Sequence, residues 1–145
     1  MSAREVIARL GLQPHPEGGW YCETWRPAPD APGRRASGSS ILFLLEPGQV
    51  SHWHRIDATE LWLFQAGAPV VLKTARGDRG EAGVVETRLG PDPLAGHAQQ
   101  HAVEPHEWQS AHAGSAGWSL VACVVVPAFQ FEGFELAPPD WSPQI

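Results

Sequence analysis

Cysteine is scarce in this sequence. Its 145 residues contain two, Cys22 and Cys123, too few for a disulfide framework, so a reducing cytoplasm is the expected compartment. Basic residues are also few, ten Lys and Arg against sixteen Asp and Glu. Apart from Arg34-Arg35 they are scattered, and without a basic stripe no nucleic-acid partner is expected. No apolar run approaches the length that spans a bilayer, and the N-terminus lacks a signal-peptide layout, so no membrane role is expected either. Long helical stripes are missing too. What is plentiful is proline (14), glycine (15) and tryptophan (7), a composition of strands and turns. The length fits a single domain, residues 1–145, large enough to bury a core.

One short helix is expected at the start. Ser2 and Glu5 have the spacing of a capping box, Val6, Ile7 and Leu10 make an apolar stripe, and Gly11 ends it. A helix this short needs a surface to lie on. His15-Pro16-Glu17-Gly18-Gly19 then breaks regular structure. Strands are expected at 20–25, 39–45, 49–54, 59–66, 69–74, 84–89, 101–104, 107–111 and 118–126, with loops at 26–38 and 90–100 and an aromatic segment at 129–136. Many short strands at near-regular spacing predict an all-β sandwich or barrel.

The stretch from Gly48 to Gly67 concentrates the chemistry. Side chains alternate along a strand, so His52 and His54 are expected on one face, and a short turn at Asp57-Ala58-Thr59 brings Glu60 back on a second strand. Two imidazoles and a carboxylate across a hairpin suit a metal centre or an acid–base pair. Trp53, Trp62 and Trp108 are strand aromatics of the kind that either fill a core or stack on a ligand. Gly18-Gly19 would let backbones approach closely while Glu17, Glu23 and Arg26 line a barrel mouth that takes a small polar molecule. Cys22 and Cys123 read as small buried apolar residues.

Gly48, His52-X-His54, Glu60 and Gly67 together resemble the first motif of the cupin superfamily, with one residue more than the common spacing between His54 and Glu60. The second cupin motif resembles Glu104-Pro105-His106-Glu107-Trp108-Gln109, with Gln109 where the family has its fourth ligand histidine. His15-Pro16-Glu17-Gly18-Gly19-Trp20-Tyr21 and Glu23-Thr24-X-Arg26 are similar to the opening of the small cupin type 5 family. The resemblance implies a double-stranded β-helix (jelly-roll) barrel over about residues 15–137 with a short N-terminal helix, and a homodimer. It also implies His54 and Glu60 as the catalytic pair, with His15, Glu17, Glu23, Arg26, Trp62, Trp108 and Gln109 around the ligand.

Three functions are compatible with the sequence. One is an enzyme that works by acid/base epimerase, isomerase or lyase chemistry on a sugar-like or carboxylate-bearing small molecule. Another is a metal-dependent enzyme of dioxygenase type, in which His52, His54 and Glu60, with or without Gln109, hold a divalent ion (Fe, Mn, Ni or Zn). The last is a non-catalytic module that binds the same kind of ligand.

Overall fold

The computed structural model describes residues 1–144. Helix α1 (Ala3–Leu10) starts as its sequence dictates. The Ser2 hydroxyl accepts from the Glu5 N–H at 3.2 Å, the Glu5 carboxylate accepts from the Ser2 N–H at 3.1 Å, and Gly11 closes the helix in the left-handed region. Its surface is the outside of a sheet: Val6 and Leu12 pack on Leu44 and Leu120, with Ile7 and Leu10 at the margin. Burying a side chain such as Val6 stabilises by about 1.5–3 kcal/mol, enough to hold two turns that would not persist alone.

Eleven strands follow: β1 (Gln13–Pro14), β2 (Trp20–Trp25), β3 (Ser39–Leu45), β4 (Val50–Ile56), β5 (Thr59–Gly67), β6 (Val70–Ala75), β7 (Val84–Leu89), β8 (Gln100–Val103), β9 (Trp108–Ala113), β10 (Ser119–Val126) and β11 (Phe134–Leu136). They form two antiparallel sheets packed face to face as a jelly roll. One runs in the order β1-β2-β3-β10-β5-β8 and the other β11-β4-β9-β6-β7. Alternation along each strand divides the side chains. In β3, Phe43 and Leu45 point between the sheets, while Leu44 points out to α1.

The expected hairpin between the two halves of the 48–67 stretch is not there. β4 belongs to the five-stranded sheet and β5 to the six-stranded one, so the turn at Asp57-Ala58 is a corner that carries the chain from one sheet to the other. Arg35 clamps this corner, its Nη1 and Nη2 donating to the two Asp57 carboxylate oxygens at 3.1 and 2.8 Å. A corner and a hairpin carry the same local signal, a polar turn between alternating runs. Only the pairing partners tell them apart, β9 and β11 for β4, β10 and β8 for β5. His54 and Glu60 therefore approach from opposite sheets.

The space between the sheets is filled at one end. Phe43, Leu45, Trp62, Val70, Leu72 and Leu89 lead a continuous apolar core there. At the other end the sheets enclose a cavity.

Candidate functional site

The site begins with one extra residue in β4. Ser51 pairs with Ala111 and His54 with Gln109, so three steps along β4 match two along β9. This bulge changes which residues face inward. Ser51, His54 and Ile56 are buried, whereas His52 is turned to the outer side of the sheet, where its Nε2–H donates to the Pro138 carbonyl at 2.8 Å. His52 thus leaves the shared face on which alternation alone had placed it with His54. Its backbone stays in the site. The His52 N–H donates to the Glu17 carbonyl at 2.8 Å, and the His52 carbonyl accepts from His54 Nδ1–H at 2.7 Å. That second bond fixes the His54 tautomer and leaves Nε2 as the free ring nitrogen.

Glu17 meets that nitrogen. The turn that delivers it closes with His15 N–H donating to the Gly19 carbonyl at 2.9 Å and Gly18 N–H to the His15 carbonyl at 3.0 Å. Gly18, at φ +104°, lies directly against the Val50 carbonyl, where a Cβ would collide. This close approach brings Glu17 Oε2 to 3.1 Å from His54 Nε2. The other oxygen, Oε1, accepts from the Ser51 hydroxyl at 3.0 Å. Burial pushes the Glu17 carboxyl up to about 8, against the Ser51 hydrogen bond, and burial pulls His54 below its usual value, against the nearby Glu60 charge and the His52 carbonyl. At neutral pH the pair is a carboxylic acid donating to a neutral imidazole. His15, beside them, accepts the Glu17 N–H at Nδ1 (3.2 Å), and burial next to His54 lowers it to about 4.

Glu60 forms the opposite wall. Burial raises its carboxyl to about 7, with the neighbouring Glu17 adding to that and His54, Gln109 and the Cys123 thiol opposing it. Gln109 orients it, with Nε2–H donating to Glu60 Oε1 at 2.8 Å while Gln109 Oε1 accepts from the Trp62 indole N–H at 2.7 Å. Gln109 and Trp62 are almost completely buried, and neither lines the cavity. The expected ligand contacts are therefore replaced by a relay, Trp62 to Gln109 to Glu60, that holds the carboxylate from behind.

The cavity measures about 270 Å³. Of the residues expected around a ligand, His15, Glu17, Glu23, Arg26, His54 and Glu60 line it; Trp62, Trp108, Gln109 and His52 do not. Trp108 belongs to the outer face of the other sheet, stacked on Trp141 and covered by the Arg55 guanidinium at 4.4 Å. At the mouth Arg26 makes a two-pronged ion pair with Glu23 (2.9 and 3.0 Å) and donates to the Phe129 carbonyl at 3.0 Å. The sequence reading missed Tyr21, Cys123, Phe129, Phe131 and Phe134 as lining residues. The aromatic segment at 129–136 was visible as such. The signal that would have placed it at the mouth is the pairing of β11 with the His54 end of β4. A larger, open groove of about 760 Å³ lies behind β11, but its two arginines are paired, Arg55 with Asp78 and Glu135 and Arg76 with Glu107.

The metal set expected from the motifs, His52, His54 and Glu60 with or without Gln109, does not fit this geometry. His52 faces away and Gln109 is committed at both ends, leaving only His54 and Glu60 in the cavity. Among the described residues, no group of three His, Cys, Asp or Glu side chains is arranged to hold a metal ion.

Comparison with known proteins agrees with this fold. A family model described as Cupin superfamily (DUF985) matches residues 4–137. The chain is similar to a protein from Shewanella oneidensis of known structure, at 36% identity over 94% of this chain and 85% of that one, with a TM-score of 0.85. It is also similar to a hypothetical protein from Leishmania major, at 30% identity over 94% and 88% of the two chains, with a TM-score of 0.83. Oxalate decarboxylase from Bacillus subtilis shares the fold alone, at 14% identity over 85% of this chain and 29% of that one, with a TM-score of 0.62. No curated protein matches significantly.

Proposed function

This chain belongs to the cupin superfamily, in the family described as DUF985, and on that premise we propose that it is an enzyme that moves protons on a small polar molecule held between its sheets. The observation that carries this reading is the buried Glu17–His54 contact at 3.1 Å facing a second buried carboxyl, Glu60. General acid–base catalysis works best when the groups titrate near the operating pH. Two carboxyls raised to about 8 and about 7 on either side of one small cavity meet that condition. Glu17 holds a proton and returns it through His54 Nε2. Glu60, held by Gln109 and half ionised near neutrality, takes the complementary role of base. This arrangement supports epimerase or isomerase chemistry, in which a proton leaves one face of a carbon and another arrives.

The acid/base pair is thus His54 with Glu17, and Glu60 acts across from them rather than directly on the imidazole. A cavity slightly below the roughly 300–1,000 Å³ of drug-sized sites accepts a molecule of monosaccharide size or less. It would admit only one end of a sugar nucleotide. The test is proton exchange: small aldoses, ketoses and amino ketones incubated with the protein in deuterated water, read by NMR. Enzyme-dependent deuterium incorporation that disappears in Glu17→Gln and Glu60→Gln is expected. Binding without exchange in any of these compounds would favour the non-catalytic module instead.

A further inference from the structure

The charges around the cavity are unbalanced in a way that bears on its ligand. Four carboxyl residues line it, Glu17, Glu23, Glu60 and Glu132, against one guanidinium, Arg26. That guanidinium is largely engaged, with Nε and Nη2 given to the Glu23 carboxylate, which neutralises its charge, and Nη2 also to the Phe129 carbonyl. The two histidines add no positive charge. His15 Nδ1 accepts the Glu17 N–H, and His54 is buried with its Nδ1–H on a carbonyl. A second observation is independent of charge. Four aromatic residues, Tyr21, Phe129, Phe131 and Phe134, line the same cavity, and the three phenylalanines form one cluster with ring centroids 5.0 to 6.2 Å apart. Aromatic faces combined with carboxylates are the chemistry that recognises alkylated ammonium groups.

We infer that the cavity selects a small organic cation, an alkylammonium or quaternary ammonium compound, and disfavours anions. The ammonium group sits against the aromatic cluster with Glu60 and Glu17 as counter-charges, and the rest of the molecule faces the His54 floor. This names the ligand class for the site proposed above and rests on that reading only in taking the cavity as the place where the ligand binds. A cation that enters favours the ionised carboxyls, so binding releases protons and strengthens as the pH rises through the range in which Glu60 and then Glu17 ionise. His15, His54, Tyr21 and Cys123 also face this space. The histidines are neutral across that range, and burial beside Glu60 and Glu17 holds the thiol protonated.

The test is calorimetric titration of the intact protein with choline, its uncharged carbon isostere dimethylbutanol, ethanolamine and acetate. Choline carries a charge that does not titrate, so any pH dependence belongs to the protein. The expected result is binding of choline about tenfold or more tighter than its isostere, no preference for acetate, and an affinity that rises between pH 6 and 8 with measurable proton release. Glu60→Gln, checked for native circular dichroism, is expected to lose most of the pH dependence. Equal binding of the isostere, a preference for acetate, or no binding of either amine would overturn the inference. Deuterium exchange into neutral sugars without amine binding also overturns it while leaving the catalytic reading in place. Choline binding without exchange in any substrate does the reverse.

Discussion

The two ends of the space between the sheets are built by the same strands and differ in almost everything else. β3 gives Phe43 and Leu45 to the closed end and Ser39 and Ile41 to the open one. β5 gives Trp62 to the first and Glu60 to the second, and β10 gives Val121 to the first and Val125 to the second, with Cys123 at the seam. The closed end gains stability from apolar area removed from water. The open end gives that up for a cavity and buries two histidines and two carboxyls, each of which costs free energy when desolvated. One supports the fold and the other draws on it, as is usual where a site is grafted on a stable scaffold.

The sharpest way to break this contrast is to truncate one residue at each end. Leu72→Ala, at a fully buried position in the closed end, should cost about 2–5 kcal/mol in chemical denaturation. Ile41→Ala already faces a cavity and creates little new void, so it should cost less than about 2 kcal/mol. Equal losses would mean that the two ends are packed alike.

The seam comes next. Gln109→Leu leaves the Trp62 N–H without its acceptor and removes the donor to Glu60. The expected cost is about 1–3 kcal/mol, with Glu60 titrating above its present value of about 7 because a bond that favours its ionised form is gone. Infrared titration of the carboxyl band would show that shift.

The pH dependence of stability separates the ends without a large energetic change. Glu17 and Glu60 have folded values raised above the ordinary carboxylate range, so the folded state holds more protons and stability falls as pH climbs from about 4.5 to about 8. His15 and His54 are lowered, so they contribute the opposite slope, with stability rising until the ordinary imidazole value near 6.5. The two effects oppose each other below that point. From about pH 6.5 to 8 the carboxyls act alone, and stability should decline. Glu17→Gln keeps a donor for His54 Nε2 and an acceptor for Ser51, so it should flatten that decline and melt higher than the parent at pH 8. A parent melting temperature that rises across that window would contradict the assignment. The smallest effect is expected at the mouth. Arg26→Gln breaks a half-exposed, solvent-screened pair and should change stability by less than about 1 kcal/mol.

The closed end was legible from the sequence and much of the open end was not. Capping residues, turn glycines and alternation placed α1 and nearly every strand to within a residue or two, because those signals are local. The assignment of β4 and β5 to different sheets depends on their partners, which no local turn reveals. Glu23 and Arg26 were placed at the mouth from their residue types and line the cavity there, whereas Glu17, expected beside them, is buried deeper against His54. Trp62 and Trp108 were misplaced because an aromatic on a strand looks the same whether its face meets a ligand, a glutamine or a tryptophan. Gln109 stood where the resemblance puts a ligand histidine, and its actual work, spanning from an indole to a carboxylate, requires both partners to be seen together.

The bulge in β4 also bears on how such chains are aligned. A single additional residue reverses the parity of every position between it and the corner, so against a chain that lacks the bulge His54 is comparable with the residue at equal distance from the corner, not at equal distance from Gly48. Against such a chain, an alignment anchored on the upstream glycine pairs inward residues with outward ones. Those anchored at the Asp57 corner, where Arg35 holds the chain, keep chemically equivalent positions in one column. In evolutionary terms, one insertion or deletion in this short stretch can exchange the side chains exposed to selection for chemistry while leaving every strand of the jelly roll in place.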